Sequence, residues 1–213
     1  MATAPEKLAA LRHLLAKRFP TVPRTAGRRL RTGIPAVDET TGGLPLSAIT
    51  EVVCAAPSCG GKLFFAQLLA ATRAARLRVA WVDSTDGFDP CSHPADELAH
   101  LIWVRCNGTA QALQATDLFA RDANLGLVLL DLRHAPQSEL SKIPGPQWYR
   151  LQRAVEPTDL ALVVQTPRPS VPSAQVRLIL DRSFSLRALD DERPALGAQL
   201  VATLNRQRLA AAG

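Results

Sequence analysis

The stretch Ala48–Leu63, AITEVVCAAPSCGGKL, decides the reading of the chain. It predicts a buried strand, a tight glycine-containing loop and the start of a helix. A phosphate-binding loop has this order, with the pattern G-x-x-x-x-G-K-[ST]. Here the first glycine is replaced by Ala56, the Gly-Lys pair is Gly61-Lys62, and the final hydroxyl position is Leu63. Such a loop holds phosphate with backbone N–H groups and a helix N-terminus. Gly60, Gly61 and Lys62 retain part of that equipment, and Leu63 cannot supply the hydroxyl that holds Mg²⁺. The expectation is a P-loop fold whose nucleotide chemistry is lost or weakened, with ATP and Mg²⁺ binding weak or absent.

Outward from this stretch, short apolar runs alternate with helical segments. The runs are Arg78–Asp83 (RVAWVD), Leu101–Arg105 (LIWVR), Leu125–Asp131 (LGLVLLD), Leu160–Gln165 (LALVVQ) and Gln175–Leu180 (QVRLIL). Helices are predicted over Gly61–Arg76, Ala110–Asp122 and Gln147–Val155. The alternation predicts an α/β fold with a mostly parallel sheet, helices on both faces, and antiparallel strands added by the C-terminal part. The last strand is placed at Ala198–Leu204. Arg31–Leu46, rich in turn residues, is expected at the surface.

Before residue 31, Leu8, Leu11, Leu14 and Leu15 share one face of a predicted helix over Pro5–Arg18. Pro20 and Pro23 then open a stiff linker. The domains are therefore 1–30, an amphipathic helix and basic linker, and 31–213, the core. Leu8, Leu11 and Leu15 are candidates for a partner or self-association contact, or for packing on the helix's own domain.

The net charge of +6 is local. Lys17, Arg18, Arg24, Arg28, Arg29 and Arg31 equal it within residues 17–31, which hold no acid. Such a segment suits nucleic acid, an acidic protein surface or solvent alone. Arg24, Arg28, Arg29, Arg31, Arg206 and Arg208 are the candidate contacts. No run approaches the ~18 apolar residues of a membrane helix. No apolar leader core opens the chain, although its Arg-rich start weakly imitates a transit peptide. The expectation is a soluble cytoplasmic protein. Cys54, Cys59, Cys91 and Cys106 are expected as buried free thiols. Cys91, His93, His100 and Cys106 match no common zinc spacing, so no metal site is expected.

The order of motifs resembles the RecA-type recombinase core. Thr32-Gly33 with Asp38 precedes GGLP at Gly42–Pro45, and a strand carrying Glu51 enters the loop. WVDSTDGFDP at Trp81–Pro90 resembles the second-strand segment. LVLLD at Asp131 sits at the Walker B position, and LVVQ at Gln165 leads to the position of the second DNA-binding loop. QVRLILDRS and GAQLVATLNRQR resemble the closing strands, so the similarity spans about residues 31–208. The resemblance places Thr85 where the water-activating glutamate stands. It implies that Asp89 corresponds to the aspartate supporting that base, and Asp131 to the Walker B acid. Losing a base and a metal ligand removes two separate contributions to phosphoryl transfer.

A short RecA-like chain with a broken P-loop is similar to the ImuA family, the SOS-induced accessory proteins of bacterial translesion synthesis, close to SulA. QWYRLQRAVEPTDLALVVQTPRP, residues 147–169, shares that family's helix-then-strand stretch. The resemblance implies partnership with ImuB, an inactive Y-family polymerase relative, with a DnaE-type error-prone polymerase, and with RecA. The alternatives are an active DNA-stimulated ATPase or recombinase paralogue, with Asp83, Asp86 or Asp131 supplying metal and base functions, and a SulA-like inhibitor of cell division that binds FtsZ.

Overall fold

The computed structural model describes residues 28–207. Its strands are β1 (Arg29–Leu30), β2 (Leu44–Pro45), β3 (Ala48–Cys54), β4 (Arg78–Asp83), β5 (Leu101–Arg105), β6 (Leu125–Asp131), β7 (Ala161–Thr166), β8 (Val176–Leu180) and β9 (Thr203–Gln207). Its helices are α1 (Pro35–Thr41), α2 (Gly61–Ala74), α3 (Ala95–Leu98), α4 (Thr109–Phe119), α5 (Gln137–Leu140), α6 (Gly145–Val155) and α7 (Arg193–Ala198). Seven strands form one sheet in the order β5-β4-β6-β7-β3-β8-β9, while β1 and β2 pair separately. Every neighbour in the large sheet is parallel except β8 and β9.

Side chains on a strand alternate between faces, so a strand covered on both sides must be apolar throughout. Val79 and Trp81 of β4, Leu127 and Leu129 of β6, and Ala161 and Val163 of β7 pack with Phe64, Phe65, Leu68 and Leu69 of α2. Their neighbours Ala80, Val82, Val128, Leu130, Leu162 and Val164 pack on the other face, with α4 and α6. The mostly parallel α/β architecture read from the sequence is the one observed. Among the described residues, no helix is long and apolar enough to cross a membrane.

The N-terminal part of the core departs from the surface expectation. Ile34, Val37 and Leu44 are completely buried. Asp38 organises the turn by accepting from Thr32 N (2.9 Å), Thr32 Oγ1 (2.9 Å) and Gly33 N (3.1 Å). Proline starts α1, and Gly42 ends it at φ 72°. The turn residues build a cap over the core, into which Ile34, Val37 and Leu44 are buried.

The C-terminal part adds the expected antiparallel pair, β8 with β9, and β8 joins it to the sheet parallel to β3. It needs one correction. The run AQLVATL is not a strand as a whole. Ala198 closes α7, Leu200 and Ala202 are buried as irregular chain, and the ladder begins at Thr203. Burial of apolar residues against the loop after β3, rather than strand pairing, explains that apolar run.

Candidate functional site

Parallel strands open their C-terminal ends at one rim of the sheet, where α/β proteins place ligands. β3 ends there at Cys54 and passes through residues 55–60 into α2. Ser58 (φ 52°) and Gly60 (φ 88°) adopt left-handed backbone to make the turn, and Phe64 N donates to Gly60 O at 2.7 Å. The loop is held from outside by the segment after β8. Ala55 N donates to Leu180 O (2.9 Å), Phe184 N to Ser58 O (3.0 Å), and Ser183 Oγ to Pro57 O (2.6 Å).

Protein atoms crowd both glycines. A methyl group on Gly60 would lie 2.4 Å from Leu200 Cδ1 and 2.9 Å from Phe184 Cε2. One on Gly61 would lie 2.8 Å from Cys54 Sγ and 3.0 Å from Arg133 Nη1. Gln165 Nε2 donates to Gly61 O at 2.9 Å. The glycines kept from the phosphate-loop pattern thus admit this chain's own side chains.

Asp131 ends β6 in the same rim and is 1% exposed. Arg133 grips it from two residues further on. Its Nε donates to Oδ1 at 2.9 Å and its Nη2 to Oδ2 at 2.5 Å. Arg133 N also donates to Oδ1, at 3.1 Å. The Arg133 side chain is 8% exposed. Burial works against its charge, but the Asp131 hydrogen bond and charge outweigh burial and raise its pKa. A cation beside the positive end of a helix is electrostatically unfavourable. The carboxylate of Asp131 compensates it.

The residues present do not fit a magnesium nucleotide. Asp131 is fully engaged by Arg133, Leu63 packs against the core and offers no oxygen, and Thr85 stands exposed without a carboxylate. Lys62 is exposed. Asp89 is exposed as well, and its Oδ1 caps the short turn Pro90–Ser92 by accepting from Cys91 N at 3.0 Å. Of the five nucleotide-loop candidates, the structure brings Gly61 and Asp131 together around Arg133, while Gly60 packs against Leu200 and Phe184. Arg133 itself was legible only as a cation of the loop that follows β6.

The other carboxylates offered for chemistry are committed to structure. Asp83 is buried and accepts from Thr85 N (3.2 Å), Gly87 N (3.1 Å), Phe88 N (3.0 Å) and Trp103 Nε1 (3.3 Å). Asp86 pairs with Arg105. Glu51, fully buried in β3, ties three elements together. It accepts from Thr166 Oγ1 (3.0 Å), Ser170 N (2.6 Å), Val171 N (3.1 Å) and Arg177 Nε (2.5 Å).

Arg28 pairs with Asp159 at 2.5 Å, and Arg29 Nη1 donates to Gly43 O at 3.2 Å. Arg31 is exposed. Arg206 Nη1 donates to Pro172 O at 3.3 Å. Arg24, Arg208, Leu8, Leu11 and Leu15 lie outside the described residues. Cys59 and Cys106 are buried as expected, whereas Cys54 is half-buried and Cys91 exposed. Cys91 sits on the exposed turn that Asp89 caps, so no core element covers it. Among the described residues, no group of three or more His, Cys, Asp or Glu is placed to hold a metal ion.

The geometry is that of an α/β fold consistent with a RecA-like core, in which the chain's own side chains fill the loop between β3 and α2. Among solved structures, the chain is similar to one described as the RadB recombinase. The match has 16% identity, covers 84% of this chain and 90% of that one, and has a TM-score of 0.62. At that identity the likeness shows the fold alone. No family model matches the chain, and no curated protein matches its sequence.

Proposed function

We propose that this chain is a non-catalytic RecA-like accessory protein of the ImuA type, acting in SOS-induced error-prone translesion synthesis in the bacterial cytoplasm. The observation that carries the non-catalytic part is the Arg133–Asp131 pair beside Gly61, next to a leucine at the hydroxyl position. The fold is kept while its carboxylate is spent on an internal cation. The similarity to the ImuA family, carried by the broken P-loop and by residues 147–169, supports the repair setting. It implies as partners an ImuB-type inactive polymerase relative, a DnaE-type polymerase and RecA. Leu8, Leu11 and Leu15 are the proposed protein contact, and Arg24, Arg28, Arg29 and Arg31 a non-specific DNA contact.

The test has two parts. Purified protein is assayed for ATP binding and turnover with and without single-stranded DNA, beside Lys62→Ala. Neither binding nor turnover is expected. DNA-stimulated turnover lost in Lys62→Ala would replace this reading with the active-ATPase alternative. Purified ImuB-type protein, and separately FtsZ, is then titrated against the chain and against a version lacking residues 1–27. Binding of the former, weakened by truncation, is expected. Binding of FtsZ alone would favour the SulA-like alternative. Any DNA binding should weaken steeply as salt rises, because phosphate contacts release counterions.

A further inference from the structure

The turn from α2 into β4 carries Arg73, Arg76 and Arg78, all exposed. Its backbone closes the helix in a left-handed cap. Leu77 N donates to Thr72 O (2.9 Å), Arg76 N donates to Arg73 O (3.1 Å), and Arg76 sits at φ 56°. Glycine is the usual residue there, because a side chain crowds the backbone in that conformation. An arginine in strained backbone is a local cost that points to a use for its side chain. A cation does suit a helix C-terminus, but that effect fades within the last turn. It accounts for Arg73, which lies in that turn, and not for Arg78, which opens β4.

The sheet sets these arginines on the rim where the described chain begins. Arg78 pairs in register with Leu125 at the start of β6, and Leu127 of β6 pairs with Ala161 at the start of β7. Arg28 holds Asp159, just before β7. Arg78 and Asp159 are therefore two strand spacings apart, about 10 Å across the sheet. Among the described residues, Arg73, Arg76 and Arg78 form no ion pair. Carboxylates at these strand starts are engaged: Asp122 accepts from Asn124 N and Nδ2, both at 2.9 Å, and Asp159 is taken by Arg28.

We propose that Arg73, Arg76 and Arg78 form a binding surface for the phosphate backbone of duplex DNA, continuous with the DNA contact proposed above for Arg28 and Arg31, on which reading it rests. Guanidinium groups meet phosphate oxygens as a planar fork and keep their charge at any working pH. Contacts to phosphate carry no sequence information, so binding is non-specific. Single strands are held by bases stacking on aromatic rings. Among the described residues, the exposed large aromatic side chain is Tyr149. It belongs to α6, which packs on the opposite face of the sheet from α2. A rim of arginines without a stacking ring fits a duplex.

The experiment titrates the full chain into fluorescein-labelled duplexes of unrelated sequence, read by anisotropy from about 50 to about 200 mM salt. Arg76→Gln/Arg78→Gln should bind every duplex more weakly and lower the slope of log affinity against log salt by about 2, near 1 for each phosphate contact. Arg182→Gln/Arg187→Gln is the control. It removes the same charge from exposed residues after β8, on the segment that holds the loop. Charges there lie beyond the screening length of about 10 Å at about 0.1 M salt, so binding should not change. Equal weakening in the two double variants would reduce the effect to net charge and overturn the proposal. Unchanged binding in Arg76→Gln/Arg78→Gln would also overturn it, and loss of that binding on removing residues 1–27 would then leave the earlier DNA contact standing alone. Absence of duplex binding at the lowest salt would overturn both. Poly-glutamate bound by the wild type and lost in Arg76→Gln/Arg78→Gln, with duplex binding intact, would assign the rim to an acidic protein instead. Arg76→Gly, relieved of the left-handed strain, should bind more weakly yet melt no lower than the wild type. A lower melting temperature with unchanged affinity would make Arg76 a structural cap and overturn its assignment.

Discussion

Arg133 forms both of its short side-chain contacts to Asp131 with the residue two places before it, so the acid at the end of β6 is neutralised within its own turn. The arrangement needs no ligand, partner or distant element. It also makes each residue dependent on the other, because both side chains are almost fully removed from water.

Arg133→Ala leaves the Asp131 carboxylate buried without its counter-charge. A loss of about 3–5 kcal/mol is expected, the usual cost of removing one partner from a buried pair. Urea unfolding followed by circular dichroism measures it. The double variant Asp131→Ala/Arg133→Ala should lose clearly less than the sum of the singles, since neither charge is then stranded. Additive losses would show that the pair does not act as a unit.

Glu51→Gln keeps the shape of the side chain and removes its charge. The buried contact to Arg177 weakens, and a loss of about 2–4 kcal/mol is expected. The local effect should be sharper than the global one. Amide exchange at Ser170 and Val171, which both donate to Glu51, should speed up before exchange in β4 or β6 does.

Two glycines should respond oppositely to alanine. Gly43 sits at φ 109°, and a methyl group there would lie 2.4 Å from the backbone oxygen of Leu30. The left-handed backbone alone costs about 1–3 kcal/mol, and the clash with main chain adds to it. Gly145 has no atom within 4 Å of the same position. Gly145→Ala should lie within about 0.5 kcal/mol of the wild type. Paired thermal melts check the contrast.

Stability should decline as pH falls below the ordinary histidine value of 6.5. Burial, and then Arg193, lower the His93 pKa, against Glu97 and Asp89. Burial, and then Arg73, lower that of His100, against hydrogen bonding and Glu97. Between the lowered folded value and 6.5 the unfolded chain binds more protons. The full contribution is therefore present above 6.5 and is lost on acidification. His100→Gln, which removes the imidazole bound to Thr72 Oγ1 at 3.0 Å, should flatten this slope between pH 7 and 5 in a urea titration series.

Legibility in the sequence followed burial. β4, β5 and β6 match their expected bounds, because a strand buried on both faces or ending in a fixed turn is marked at each end by a change of residue type. The core role of Ile34, Val37 and Leu44 was hidden because three buried side chains in a turn-rich stretch set up no periodicity. The tail of α7 was hidden because irregular chain buried against a loop has the composition of a strand. At the site, Gly60, Gly61 and Asp131 were legible from spacing. Arg133 was not singled out, although Asp-x-Arg at the end of a fully apolar strand is a usable signal. A buried carboxylate needs a partner, and this arginine is near enough to fold back.

Arg28 pairs with Asp159, just before β7 begins, and Ala161 at the start of β7 lies beside Ala48 at the start of β3. Cys54 and the occupied loop stand at the far end of β3, roughly 20 Å away at the rise of an extended strand. Arg28, the first described residue, therefore lies at the rim opposite the loop. On the proposed accessory reading, a partner held near Arg28 and a partner resting on the loop rim would meet separate surfaces, and the two contacts would not exclude one another.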